Sequence, residues 1–557
     1  MNIDIIKLRK KYQGLLEIKT KIPIMDSYSL SLVYTPGVGK SCIEIKNNPQ
    51  KINELTNKSN SIAVIANKTG DNSLSKIPAL ESKCIFYKEF AGIDAYPIII
   101  NSDSINDVAE VILNLTPSFS GFDLEHIKPQ KTVELEKILS DKLDLPVFYS
   151  HKKEKINLLF AKDLILCGIF RGLLDIQATK LDDEVFETLN SIKEFKNKNF
   201  DEIIAETLFY AAKTTIKTGN FKFNKSPDYI KQDYIDYLIN GSRIYQEKSK
   251  NVPINLNLNL DEKSLEIHKI ARGVIETESK FHPKLINVYF NIFSSQNNAK
   301  IEEEIIINNQ KAFELTLKGN TIAIVTDGSA VLGFGNIGPE AGLPVMEGKS
   351  ALFKVLGGVD AVPICLKTQD PEKIIDIVRL ISPVFGGVNL EDIASPNCFH
   401  IEKKLIETLD IPVFHDDQHG TAVVVLAGFL NALKLAGKKI EDIKIVVNGA
   451  GAGAISVSNL LLQVGVKNLI LCDREGAIYE ERKKGMNQFK QEIACYTNPN
   501  KEKGFLSDVI KGADFFIGLS AGNVVSCEMI KTMADKPVVF ALANPIPEIM
   551  PGIAKEA

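Results

Sequence analysis

Short, uninterrupted apolar runs alternate along this chain with longer stretches in which apolar positions recur every three or four residues. The pattern is clearest near the C-terminal end. Ile443-Lys-Ile-Val-Val447 reads as a short buried strand, and Gly449-Ala-Gly-Ala-Gly-Ala454 as a turn that opens a helix through Leu462. Asn468-Leu-Ile-Leu-Cys472 reads as a second strand, closed at once by Asp473. Later strands are expected at 515–519 and 538–542. Upstream, Ile411-Pro-Val-Phe414 ends a strand-like run, and 423–435 carries a helical apolar pattern. Short apolar strands alternating with helices predict an α/β fold with a parallel, doubly wound sheet.

The pattern also repeats. Lys88-Glu-Phe-Ala-Gly-Ile-Asp-Ala-Tyr-Pro-Ile98 returns as Lys354-Val-Leu-Gly-Gly-Val-Asp-Ala-Val-Pro-Ile364. Pro117-Ser-Phe-Ser-Gly-Phe-Asp-Leu-Glu-His-Ile127 returns as Pro383-Val-Phe-Gly-Gly-Val-Asn-Leu-Glu-Asp-Ile393, and Lys142-Leu-Asp-Leu-Pro-Val-Phe148 as Thr408-Leu-Asp-Ile-Pro-Val-Phe414. All three pairs share one offset, 266 residues. Nearer the start the offset falls to 260, since Asn60-Ser-Ile-Ala-Val64 pairs with Asn320-Thr-Ile-Ala-Ile324. A fixed offset is the mark of an internal duplication. Four segments are expected: a first, degenerate copy over 1–150, a helical tail and polar connector over 151–263, a second copy over 264–435, and a dinucleotide-binding segment over 436–557 that is expected to be shortened at its C-terminus.

That last segment carries a G-x-G-x-x-A string, Gly449, Gly451 and Ala454, between a strand and the helix that Ala452 opens. The first glycine permits the tight turn, and the second lets backbone approach a pyrophosphate at the helix N-terminus. Asp473 closes the next strand, where a carboxylate can accept hydrogen bonds from ribose hydroxyls. Asp473 favours NAD, but Arg474 beside it can meet a 2′-phosphate, so NAD and NADP both stay open.

Just upstream, Glu391 and Asp392 form one acidic pair, and Asp416 and Asp417 another. Hard oxygen ligands suit Mg²⁺ or Mn²⁺ and not zinc. Two acids after a strand are more often a solvated loop. Lys349 taken alone would be an ordinary surface residue, although a lysine beside a divalent cation and partly desolvated can act as a base.

Composition narrows the partners. Of 557 residues, 45% are apolar and 24% charged, as in ordinary globular chains. A net charge of −4 gives no footprint for nucleic acid or anionic lipid. No run approaches the 18 apolar residues of a spanning segment, and no secretory signal is visible. Eight scattered cysteines read as reduced thiols, so a cytoplasmic location is expected.

Several motifs taken together resemble a known family. Thr326-Asp-Gly, Gly333-Phe-Gly-Asn-Ile-Gly, Pro344-Val-Met-Glu-Gly-Lys349, Asn389-Leu-Glu-Asp-Ile, Phe414-His-Asp-Asp-Gln-His-Gly-Thr-Ala and Ala543-Asn-Pro-Ile-Pro-Glu548 resemble the small bacterial type of malic enzyme. The likeness runs almost continuously from about Ala312 to Glu556. It implies two malic-type N-terminal domains, one degenerate, followed by a Rossmann-like domain. It also implies oxidative decarboxylation of malate to pyruvate and CO₂ with NAD or NADP. By the same likeness Glu391, Asp392 and Asp417 match metal ligands for Mg²⁺ or Mn²⁺, and Asp416 is their neighbour. Lys349 matches the base at the C2 hydroxyl. Asn544 matches an asparagine near substrate and nicotinamide.

The acid that protonates the enolate is, in the family, the tyrosine of a Tyr-Ser/Thr-Pro-Gly-Val motif. Only the first half carries it, as Tyr34-Thr-Pro-Gly-Val38; in the second half Phe293 or Ser294 falls at that place. The first half departs elsewhere. It keeps Lys83 and Glu125, but has His126 for Asp392 and Ser150 and His151 for Asp416 and Asp417. Its glycine loop is shortened to 68–75, and no dinucleotide segment follows. Gly168-Ile-Phe-Arg-Gly172 occurs only in the first half, with Ala161 and Lys162 where the family has an asparagine pair. These complementary losses suggest a fused pseudo-dimer with one site that takes Tyr34 from the first half, with further homo-oligomers possible. The competing readings are an impaired pseudoenzyme that binds a dinucleotide or pairs with a paralogue, and a metal-dependent dehydrogenase of another 2-hydroxy acid.

Overall fold

The computed structural model describes residues 4–67, 73–149, 152, 162–190, 200–218, 222, 226–228, 231, 258–281, 292–331, 333–544 and 546–557. It has two units. One is Met1–Gly328 with Ile337–Val388 and Thr408–Pro412; the other is Ser329–Asn336 with Asn389–Glu407 and Val413–Ala557.

In the first unit β1 spans Leu16–Thr20. Four parallel strands follow: β2 (Ser61–Asn67), β3 (Asp94–Ile100), β4 (Phe122–Leu124) and β5 (Val147–Phe148), in the order β3-β2-β4-β5. Every residue of β2 and β3 is buried, which is why both read as continuous apolar runs. The second half brings β6 (Ile275–Ser279), β7 (Thr321–Thr326) and β8 (Asp360–Cys365). β7 and β8 pair in parallel from Thr321 opposite Asp360, as β2 and β3 pair from Ser61 opposite Asp94.

Positions paired by the sequence repeat make matching hydrogen bonds. Ser120 N–H donates to the Ser61 carbonyl (2.9 Å), and Gly386 to Thr321 (2.8 Å). Phe122 N–H donates to Pro146 (3.0 Å), and Val388 to Pro412 (2.8 Å). Asn60 Nδ2 donates to the Gly92 carbonyl and Asp94, as Asn320 does to Gly358 and Asp360. Beyond Val388 the chain passes through β9 (Gly387–Leu390) into the second unit, where β10 spans Val413–His415.

β1 and β6 pair antiparallel, Leu16 opposite Ser279, and lock the halves together by exchange. Ile18 N–H of the first half donates to Asp360 of the second (2.8 Å), and Thr277 N–H of the second to Asp94 of the first (2.8 Å). Gly14 and Gly273 enter these strands at φ +84° each, and a Cβ on either would lie within 2.5 Å of backbone from the opposite half. Only glycine fits both demands.

The Gly168-Ile-Phe-Arg-Gly172 segment lies in the helix Lys162–Asp175, against the helix Phe200–Thr218. A Cβ on Gly168 would meet Ile204 and Thr207 at 2.8 Å, so the glycine sets this approach. Phe170 packs at a tilt against Phe148 (4.4 Å between centroids), which holds the helix on the first-half sheet. Ser150, His151, Ala161, most of the shortened glycine loop and most of the polar connector lie outside the described residues.

In the second unit β11 (Lys444–Asn448), β12 (Asn468–Asp473), β13 (Gly476–Ala477), β14 (Phe515–Gly518) and β15 (Val538–Ala541) form one sheet. Its order is β13-β12-β11-β14-β15, parallel except for β13. The strands fall within a residue of those expected from the apolar runs. Alternate residues of β11 face two cores: Ile445 and Val447 pack with Phe429, Ile455 and Leu471, while Val446 packs with Ile470, Val509 and Phe516. That is the doubly wound arrangement, with its switch point between β11 and β14. Against the expectation of no spanning-length segment, Asp416–Ala436 is long and apolar enough to cross a membrane by length and composition alone. Its residues Ala422, Val425, Phe429 and Leu433 belong to the core of this sheet. This unit takes 389–407 and 413–435 together with the expected dinucleotide segment.

Candidate active site

Tyr34 caps the C-terminus of the helix Ser27–Val33, and its N–H still donates to Leu30 (3.0 Å). Lys349 lies on the helix Pro339–Gly357 and is 9% exposed. These residues come from opposite halves of the repeat, and the first unit brings them together: Lys349 Nζ is 6.0 Å from the Tyr34 ring centroid. Gly348 is the reason they can meet. A Cβ there would lie 2.4 Å from the Val33 carbonyl oxygen and 2.9 Å from the Tyr34 ring. In the first half Ser82 takes the place of Gly348, and Phe293 packs edge-on against Phe86 (5.8 Å).

Glu391, Asp392 and Asp417 converge in the second unit, with one carboxylate oxygen of each within 4.8 Å of the others. Glu391 and Asp392 are buried. Asp392 takes φ +54°, unusual for a residue with a side chain, and its N–H donates to Asp417 (3.1 Å). Asn389 Nδ2 donates to Glu391 (2.9 Å). Asp416 and Asp417 begin a single wide helical turn, Asp416–Gly420, of the π type often found at functional sites. His415 beneath it is fully buried, and burial pushes its pKa down, so it brings no cationic charge to the acids. Three converging carboxylates repel one another unless a cation joins them. The donors are all hard oxygens, so the set fits Mg²⁺ or Mn²⁺.

Gly449 sits at φ +133°, with the Leu519 carbonyl oxygen 2.4 Å from where a Cβ would be. Gly451 faces open space, leaving its backbone approachable, and Ala452 opens the helix Ala452–Gln463. The next glycine has a role that the sequence motif did not show. A Cβ on Gly453 would lie 3.1 Å from the Asp417 carbonyl oxygen, so this helix packs directly on the carboxylate turn.

Asp473 ends β12 as expected, but its carboxylate is already engaged. Arg482 donates to it, Lys490 Nζ donates at 2.7 Å, and the Glu475 N–H at 2.9 Å. Burial opposes ionisation there, yet the two cations hold the carboxyl below its usual range. Neither cation was visible from the motif, because they follow Asp473 by nine and seventeen residues through irregular chain. Asn544 is exposed on the loop after β15. Glu548, fully buried, fastens that loop by accepting from Ala543 N–H (3.0 Å) and Ser520 N–H (2.9 Å).

Two family models match this chain. Malic enzyme, N-terminal domain, matches residues 13–111 and 273–406; Malic enzyme, NAD binding domain, matches 418–551. The bifunctional malic/malolactic enzyme of Bacillus subtilis is 51% identical over 303 residues, 54% of this chain and 73% of that protein. The NAD-dependent malic enzyme of Geobacillus stearothermophilus is 55% identical over 51% of this chain, which spans 59% of that protein. The NADP-dependent malic enzyme of Escherichia coli is 50% identical over 44% of this chain, which spans 32% of its length. The crystal structure of the NAD-dependent malic enzyme of Thermotoga maritima is 48% identical, with a TM-score of 0.50 over 52% of this chain and 78% of that one.

Proposed function

The chain belongs to the malic enzyme family, and from that premise we propose that it converts malate to pyruvate and CO₂ while reducing NAD or NADP. Glu391, Asp392 and Asp417 would hold Mg²⁺ or Mn²⁺, with Asp416 supporting the turn. The cation, when bound, polarises the C2 oxygen and steadies negative charge that develops on it. Gly449, Gly451 and Ala452 present backbone to the pyrophosphate, Asp473 meets the adenosine ribose, and Asn544 serves the nicotinamide end.

Lys349 accepts the C2 hydroxyl proton while the C2 hydrogen leaves as hydride for the nicotinamide. C2 becomes a carbonyl, and the carboxylate β to it departs as CO₂, leaving its electron pair in the enolate. Tyr34 then delivers a proton to C3, giving pyruvate. The juxtaposition of Lys349 with Tyr34 is the observation that supports this division of labour most directly. We therefore read the chain as a fused pseudo-dimer in which the first half lends the acid and the second half the base, the metal ligands and the dinucleotide segment. The recurrence of contacts at equivalent positions, and the exchange of β1 and β6 bonds between halves, support that reading.

The test is the absorbance of NADH or NADPH formed from L-malate and Mn²⁺ by the purified chain. Formation that requires both malate and the metal is expected. Its absence at saturating malate and Mn²⁺ with either dinucleotide sinks the proposal.

A further inference from the structure

At the strand ends of the first half, three residues differ from their second-half counterparts in the same electrostatic direction. Asn67 stands where the second half has Asp327, Lys76 where it has Gly342, and His126 where it has Asp392. Each exchange removes negative charge or adds positive charge. A site built to collect a cation has changed in the direction that favours an anion.

Lys76 Nζ donates to the Asn67 carbonyl at the end of β2 (2.7 Å). Lys83 follows seven residues later along the helix Ile77–Ala91, on the same face, and lies 3.6 Å from Glu125. Glu125 is fixed at the end of β4 by its N–H to the Ile65 carbonyl (2.7 Å). Both lysines thus reach the carboxyl ends of neighbouring parallel strands, the edge where open α/β sheets take ligands. His126 holds φ +52°, matching Asp392 at +54°, so the turn shape has outlived the carboxylate.

Asn67 supplies an independent sign. It is completely buried, and among the described residues neither its amide oxygen nor its amide nitrogen has a hydrogen-bond partner. Buried side-chain amides are nearly always satisfied, so this one calls for a polar guest.

We propose that this edge of the first half binds a small di- or tricarboxylate directly, with Lys76 and Lys83 in place of a metal and Asn67 donating its amide. Seven residues of helix place the lysines about 10 Å apart along its axis, so a ligand with more than one carboxylate satisfies both. Glu125 at Lys83, and Asp103 and Glu302 around Lys76, are the acids such a ligand must outcompete. Phe293 brings no phenol to this edge, and the NAD-binding family model lies wholly beyond it, so the ligand is held without turnover. The inference goes beyond malate oxidation and does not depend on it.

The experiment is isothermal titration of the full chain in EDTA, without dinucleotide, using L-malate, succinate and citrate in turn. Saturable binding of at least one, near one per chain, is expected. It should weaken at least tenfold in Lys83→Gln and in Lys76→Gln, and persist in Asp417→Asn. Lys76 is only half-buried, so its variant decides the matter if Lys83→Gln misfolds. The proposal is overturned if none of the three binds saturably. It is equally overturned if binding survives in Lys76→Gln or disappears in Lys349→Ala.

Discussion

Lys349 Nζ lies 6.0 Å from the centroid of the Tyr34 ring, although the two residues belong to different copies of the repeat. The contact exists because Gly348 has no side chain to hold the rings of the first half away. Tyr34→Phe should lower turnover with malate by roughly 10²-fold or more, the usual worth of a positioned proton donor, with little change in KM. Gly348→Ala should also cut turnover, by displacing Tyr34. Phe293→Tyr should not rescue Tyr34→Phe, because Phe293 packs on Phe86 in the other copy. Stopped-flow assay of NADH formation checks all three, and unchanged turnover in Tyr34→Phe removes Tyr34 from the chemistry.

The three converging acids make a thermodynamic prediction that needs no turnover. Without a cation, Glu391, Asp392 and Asp417 repel one another at short range. Asp417→Asn should therefore raise the melting temperature in EDTA by a few degrees and abolish most of the stabilisation that Mn²⁺ confers on the natural chain. Gly453→Val should weaken Mn²⁺ as well, since its side chain would press on the Asp417 carbonyl. A melting temperature of Asp417→Asn that still climbs normally with Mn²⁺ would falsify the ligand assignment.

Cofactor choice turns on the neighbours of Asp473. With Arg482 and Lys490 bonded to it, the carboxylate is neutralised, and a 2′-phosphate meets less repulsion than the motif alone suggests. Lys490→Ala leaves Asp473 more negative and removes a cation. The ratio of kcat/KM for NAD over that for NADP should rise by about tenfold, the effect of one modest charge interaction. Steady-state kinetics with both dinucleotides decide it; an unchanged ratio means Lys490 only supports the loop.

A pH effect follows from an unequal pair of glutamates. Glu81 accepts from Leu15 and Leu16 N–H and is met by Arg9 (2.6 Å). Its repeat partner Glu347 accepts from Asn57 N–H (2.6 Å) and Val274 N–H (2.9 Å). Where Arg9 would recur, the chain has His268, bonded to the Leu55 carbonyl (3.3 Å) and pushed down to about 4 by burial, so it is neutral. Burial pushes Glu347 up to about 7, from a usual value of 4.5. A folded pKa above the unfolded one gives stability that is full below about pH 4.5 and lost as pH rises through 7. The loss is on the order of 3 kcal/mol. Urea unfolding of the natural chain and of Glu347→Gln should show a free-energy difference that changes by roughly that amount between pH 5 and pH 8. Parallel pH profiles would contradict it.

The apolar runs were enough to place β11, β12 and β14, because a strand buried on both faces must be apolar throughout, and the half-buried edge strand β15 is apolar as well. The spacing of Gly449, Gly451 and Asp473 marked a candidate dinucleotide turn, and three segment pairs at one offset of 266 residues marked the repeat, since both are properties of the linear chain. Glu391, Asp392 and Asp417 stood out as hard ligands, but a one-dimensional reading cannot separate a metal set from a solvated loop. The structure adds that Glu391 and Asp392 are buried and that one oxygen of each converges with one of Asp417 within 4.8 Å.

What only the tertiary structure decided are the close approaches. Gly348 against Tyr34, Gly453 against Asp417, Lys490 on Asp473 and the unsatisfied amide of Asn67 all depend on which backbones pass within a few ångströms of each other. Periodicity records which face of an element is buried, not what lies opposite it. The residues that join the two copies were for that reason silent in the sequence, even where the motifs beside them were plain.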